Sequence, residues 1–119
     1  MSKNVLKDKS YGFALRSVRL SRYLVDEKRE FVLSKQMLRS ATSIGANVEE
    51  AGQAQSKADF IHKLSISQKE SFETHYWVRL LRDSELIPPK MAESLLADCE
   101  ELQKLLTSSI KTAKANLRK

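Results

Sequence analysis

Two sets of side chains in this sequence have the types and spacing to do chemistry at a surface or an interface. Arg39, Ser43, Asn47 and Glu50 recur at intervals of three and four, the repeat of one helix face. Gln36 and Ser40 extend the strip, and Glu70 and Glu73 stand three apart further along the chain. A guanidinium facing two carboxylates can fix the register of two packed helices or frame a binding site. The pairing to expect is Arg39 with Glu70 or Glu73. If that pair is buried, removing one carboxylate should cost about 3–5 kcal/mol. The second set is basic. Arg16, Arg19 and Arg22 recur every third residue, while Lys104, Lys111 and Arg118 recur every seventh with Lys114 beside them. Such rows read backbone phosphate rather than base edges. The same charges also serve many helical proteins simply as a solvated face.

Catalytic constellations are scarce. The sequence holds no Gly-rich phosphate loop, no Cys-x-x-Cys and no His-Glu-x-x-His. Di-iron bundles use Glu-x-x-His pairs facing the core. The nearest pattern here, Asp59 with His62, occurs once, and Asp59 is better explained as part of a helix cap. His75 has no carboxylate three residues before it. The lone Cys99 falls on an apolar seam, where a free cysteine behaves as a small hydrophobe. No catalytic residue, metal ligand set or cofactor is therefore expected. A metal-dependent enzyme would require bound metal, which elemental analysis detects.

These side chains need long helices to position them, and four are predicted. The first spans about Ser10 to Lys28 on a stripe of Phe13, Ala14, Val18, Ser21, Leu24 and Val25. The second starts at Ser34 as its cap, with Leu33 and Leu38 as a hydrophobic staple. Its stripe is Met37, Ala41, Ile44, Val48 and Ala51. Gly45 and Gly52 lie seven apart within it, and a helical glycine costs about 1 kcal/mol relative to Ala. Close approach of another backbone would offset that, although Gly52 can instead cap the helix end. Ser56 and Asp59 form a capping-box pattern for a third helix, read to about Glu85. Phe60, Leu64, Ser67, Ser71, Thr74, Val78 and Leu81 share its apolar face, with Ile66, Glu70, Glu73, Trp77 and Leu80 adjacent. Pro88 and Pro89 end it, and Pro89 suits the first position of a fourth. That last helix carries a seam of Ala92, Leu95, Cys99, Leu102, Leu106, Ser109 or Ile110, Ala113 and Leu117. Short connections make neighbouring helices antiparallel. The expected fold is an all-α, up-and-down four-helix bundle forming a single domain over residues 1–119.

Composition agrees with this reading. The chain has 119 residues, 41% of them hydrophobic and 30% charged, with only three Gly and two Pro. Its longest stretch without a charge, Ser40 to Val48, is far short of the roughly 20 apolar residues of a membrane span. The opening Met1-Ser2-Lys3-Asn4 lacks the apolar core of a signal peptide. One cysteine cannot form an internal disulfide, so a reducing cytoplasm is expected. The net charge of +6 is concentrated at the two ends of the chain: +4 over residues 1–33 and +2 over residues 88–119. The first and fourth helices are neighbours in such a bundle, so their basic rows can merge into one surface. Phe31, Val32, Tyr11, Tyr23 and Tyr76 look surplus to one bundle core, which points to self-association.

The segment Ser34–Ala51, the run Ser56-Lys57-Ala58-Asp59-Phe60, and Lys63-Leu64, Ile66, Lys69-Glu70, Glu73, Tyr76-Trp77 and Leu80-Leu81-Arg82 together resemble the four helix bundle protein family. It is also called the 23S rRNA-intervening sequence protein family, because some members are encoded inside insertions in large-subunit ribosomal RNA genes. The resemblance covers roughly residues 11–87. The stretch Ser65–Ser71 departs from it, keeping small size at Ser67 and Ser71 while gaining polarity. The resemblance implies an antiparallel four-helix bundle that assembles into homo-oligomers, with a pentamer as the expected form. A remoter likeness is to the accessory proteins of diversity-generating retroelements, which are basic pentamers that engage nucleic acid.

The resulting expectation is a non-enzymatic, homo-oligomeric, cytoplasmic protein that contacts nucleic acid, RNA ahead of DNA, through Arg16, Arg19, Arg22, Lys104, Lys111, Lys114 and Arg118. The alternative is a protein-binding scaffold or adaptor with no nucleic-acid contact. Copurified nucleic acid would separate the two.

Overall fold

The computed structural model describes residues 5–117, and four helices account for most of them. They are α1 (Val5–Asp26), α2 (Leu33–Ala51), α3 (Lys57–Asp83) and α4 (Pro89–Leu117). Arg118 and the segment Met1–Asn4 lie outside the described residues. Pairs across neighbouring helices show that these run antiparallel. Lys7 meets Glu49, Arg39 meets Glu73 while Glu50 meets Lys63, and Gln68 meets Thr107 while His75 meets Glu100. The result is an up-and-down four-helix bundle, 52 × 23 × 22 Å, in which α1 and α4 meet much more sparsely than the other neighbours.

The seams follow from the sequence with one rotation. In α2, Met37, Ala41, Ile44, Val48 and Ala51 are all buried, as their spacing predicts. The seam of α4 is buried from Ala92 to Ile110, and Leu117 beyond it is exposed. In α1 the buried residues are Ser10, Phe13, Ser17, Leu20 and Leu24, so only Phe13 and Leu24 of the predicted stripe lie at its centre. Two serines occupy core positions there. Ser17 Oγ donates to the Phe13 carbonyl at 2.9 Å and Ser10 Oγ to that of Lys7 at 3.1 Å, which removes the cost of burying them. Helix α1 also begins at Val5, earlier than its apolar pattern suggests.

Ser34 does not cap α2. The Glu30 carboxylate does, accepting from the backbone N–H groups of Val32 (3.3 Å), Leu33 (3.1 Å) and Ser34 (2.8 Å). A negative charge is favoured at that end of a helix. Ser34 Oγ instead donates back to the Glu30 carbonyl at 2.8 Å. Ser56 does cap α3, accepting from Asp59 N–H at 3.0 Å, while Asp59 accepts from Gln55 N–H. Gly52 sits at the end of α2 with a right-handed φ of −65°, so the left-handed freedom of glycine is not used there. Arg29 and Glu85 supply the left-handed backbone in the α1–α2 and α3–α4 connections. Gly45 lets α2 approach α1 closely: a Cβ there would stand 3.2 Å from the Ser10 carbonyl oxygen, tighter than an ordinary contact.

Candidate functional site

The close packing of α2 on α3 rests on small hydroxyl residues, which then bond across the seam. Ser67 Oγ donates to the Ile44 carbonyl at 2.8 Å, and Thr74 Oγ1 donates to Ser40 Oγ at 2.9 Å, both fully buried. The added polarity of Ser65–Ser71 is thereby absorbed: Ser65 and Ser71 hydroxyls donate to the carbonyls of Ile61 and Gln68.

Arg39 lies at the rim of this seam. Its Nη2 reaches Glu73 at 2.6 Å and its Nη1 reaches Glu70 at 3.4 Å. Trp77 Nε1 donates to the same Glu73 oxygen at 2.9 Å. That indole bond, followed by the guanidinium, holds the Glu73 carboxyl below the usual carboxylate range, and the two carboxylates raise Arg39. Glu70 Oε1 is sealed from solvent without a protein hydrogen bond. Arg39 itself is 50% exposed, so the premise of a buried pair fails. Removing Glu70 or Glu73 leaves a guanidinium that water can reach, and the 3–5 kcal/mol expectation drops to that of a surface pair, about 1 kcal/mol or less. Ser43 and Asn47 bond along α2, to the carbonyls of Arg39 and Ser43, rather than across to α3. Glu50 pairs with Lys63 at 2.9 Å. Two carboxylates against one guanidinium leave this cluster with one negative charge in excess.

The basic rows do not merge. Arg16 turns toward α4 and binds Asp98 at 2.6 Å, while Lys9 binds Glu101 at 3.2 Å. These pairs occupy the α1-facing flank of α4. Lys104 and Lys111 lie on its other flank, around a depression shared with Phe72 of α3. The reason is rotational: positions 98 and 101 fall on one side of the α4 seam, and 104 and 111 lean to the other. Arg19 lines an apolar groove of about 210 Å³ between α1 and α4, with Leu20, Tyr23, Met91 and Leu95. Arg19, Arg22, Lys104, Lys111 and Lys114 are all exposed, with no carboxylate at salt-bridge distance among the described residues. Tyr11, Phe31, Val32, Phe72 and Tyr76 are at least half exposed, and Leu15 is exposed to a lesser degree. Tyr23 instead packs partly against the core.

Cys99 is fully buried on the α4 seam, and its Sγ donates to the Ser71 carbonyl at 3.2 Å. Burial pushes its thiol up to about 12, so it is no nucleophile. Among the described residues no three His, Cys, Asp or Glu side chains gather as a metal site, and no helix is long and apolar enough to cross a membrane.

The family model described as 23S rRNA-intervening sequence protein matches residues 2–108. The chain is similar to a protein of unknown function from the S23 ribosomal protein family of Bacteroides thetaiotaomicron, known from a crystal structure. The two are 57% identical over 93% of this chain and 99% of that one, with a TM-score of 0.91. No curated protein matches the chain.

Proposed function

The chain belongs to the 23S rRNA-intervening sequence protein family, and from that membership we propose a non-enzymatic, homo-oligomeric bundle that binds RNA in preference to DNA. The observation that carries this reading is a group of exposed bases on the two outer helices, Arg19 and Arg22 on α1 and Lys104, Lys111 and Lys114 on α4, with no carboxylate at salt-bridge distance among the described residues. Unneutralised cations of this kind attract phosphate through release of its counterions. Arg16 is left out of the contact set, because Asp98 already engages it. In a ring, pentameric as the family resemblance implies, each basic flank is repeated and avidity grows without new contacts.

Binding of this kind falls steeply with salt, with a slope of about −0.7 per neutralised phosphate for a single strand. Reversing Arg19 and Arg22 to Glu should lower affinity and flatten that slope while the helical signal stays intact. Absence of wild-type binding to RNA or DNA at about 50 mM salt, where screening is weak, overturns the reading. The exposed Tyr11, Phe31, Val32 and Tyr76 favour the second reading in that case, a scaffold that engages only proteins.

A further inference from the structure

We propose that the α3–α4 flank is a stacking site for an unpaired nucleobase, with Phe72 as the platform and Lys104 and Lys111 as the phosphate contacts. This rests on the nucleic-acid reading above and adds to it a place and a mode of contact.

Phe72 is 56% exposed on a helix whose core positions are otherwise well buried, so packing does not explain it. It borders a shallow depression of about 590 Å³ between α3 and α4. The other exposed rings are differently placed. Phe31 lies under the Arg29 guanidinium and Tyr76 under that of Arg79, with Tyr76 also edge-on to Trp77. Tyr11 borders a depression that holds Glu49. Phe72 has neither a cation over its ring nor an aromatic neighbour among the described residues, so its face is open to a ligand.

What surrounds it is basic and firm. Lys104 and Lys111 stand two turns apart on α4, roughly 10.5 Å along the axis, and both line the depression. Neither has a carboxylate at salt-bridge distance among the described residues, and the one acid lining the depression, Glu100, is bonded to His75 at 2.8 Å. The floor is tied in place: Gln68 Nε2 donates to Thr107 Oγ1 at 2.7 Å and Gln103 Nε2 to the Ser71 carbonyl at 3.3 Å. An aromatic platform flanked by two cations is the chemistry of a single-strand contact, in which a base stacks and the phosphates beside it are neutralised. A duplex hides its base faces and has no use for the ring.

The test is titration of the full chain with a short, fluorescent oligo-adenylate. Phe72→Ala should weaken binding about tenfold with the salt slope unchanged, since a stacked base is neutral. Lys104→Gln with Lys111→Gln should weaken binding and reduce the slope by about 1.4, two phosphates' worth. Phe72→Trp should retain affinity, and in a Trp77→Phe background its emission should be quenched on binding. Wild-type binding that Phe72→Ala leaves unchanged overturns the stacking site while the broader reading stands. No wild-type binding overturns both. Tight polyglutamate binding that depends equally on Phe72 overturns the nucleobase in favour of an acidic polypeptide.

Discussion

Gly45 of α2 faces the Ser10 carbonyl of α1 so closely that an added Cβ would lie 3.2 Å from its oxygen and 3.4 Å from its carbon. The atoms in the way are backbone, so α1 as a whole must yield. A Cβ at Gly12 of α1 would meet nothing within 4 Å. The two glycines therefore respond oppositely to one substitution. Gly12→Ala should stabilise by about 0.5–1 kcal/mol through helix propensity. Gly45→Ala should show no such gain, and Gly45→Leu should destabilise by about 2 kcal/mol or more through overpacking. Urea midpoints of the three variants decide it.

Glu73 gives the bundle an acid-sensitive rim. Its carboxyl is held low by Trp77 and then Arg39, so the charged form binds better in the folded chain than in the unfolded one. That contribution is complete above the ordinary carboxylate range near 4.3 and is lost as pH falls through the depressed folded value. Glu73→Gln should make stability less sensitive to pH below about 4. The single Trp77 reports the event directly, and its emission change on acidification should vanish in the variant.

Cys99 should resist alkylation in the folded protein at pH 8 and react promptly once urea unfolds the chain. The thiol keeps its proton in the fold up to about 12, whereas the unfolded chain releases it near 8.5. Stability therefore falls as pH rises between those two values. Fast labelling under native conditions would mean that the α4 seam opens readily.

Self-association should be visible by light scattering as a mass above the 13.6 kDa of one chain. Tyr11 and Leu15 lie one turn apart on the outside of α1, both exposed. Replacing both with Glu should lower the assembly state without changing helicity. A wild-type mass near that of one chain at micromolar concentration would remove the oligomer from the proposed function.

How much was legible depended on whether a position announces itself by polarity. The seams of α2 and α4 are written in Met, Ile, Val and Leu at helical spacing, and the structure buries them as read, apart from the end of α4 beyond Ile110, where Leu117 is exposed. The seam of α1 contains Ser10 and Ser17, which look solvent-facing until their local carbonyl partners are seen. Ser34 was the obvious cap letter for α2, yet Glu30 reaches the same N–H groups from further back. The basic rows were visible as rows. Their separation was not, because which flank of α4 faces α1 depends on how the helix is turned in the assembled bundle. Phe72 gave no signal of its own, since an exposed phenylalanine reads in sequence like a core one.

The sparse meeting of α1 with α4 leaves α1 held chiefly from one side, by α2. In the language of cooperative units, α2, α3 and α4 form a foldon closed by two extensive interfaces, and α1 is a flap docked on it. Sub-global opening of that flap needs only one strong interface to part, so its free energy lies below that of global unfolding. Amide exchange should therefore reach Phe13 and Leu20 in α1 well before Val78 and Leu81 in α3. A helix that detaches first is also a helix that can be exchanged between copies, since the surface it vacates on α2 fits the α1 of any neighbour equally well.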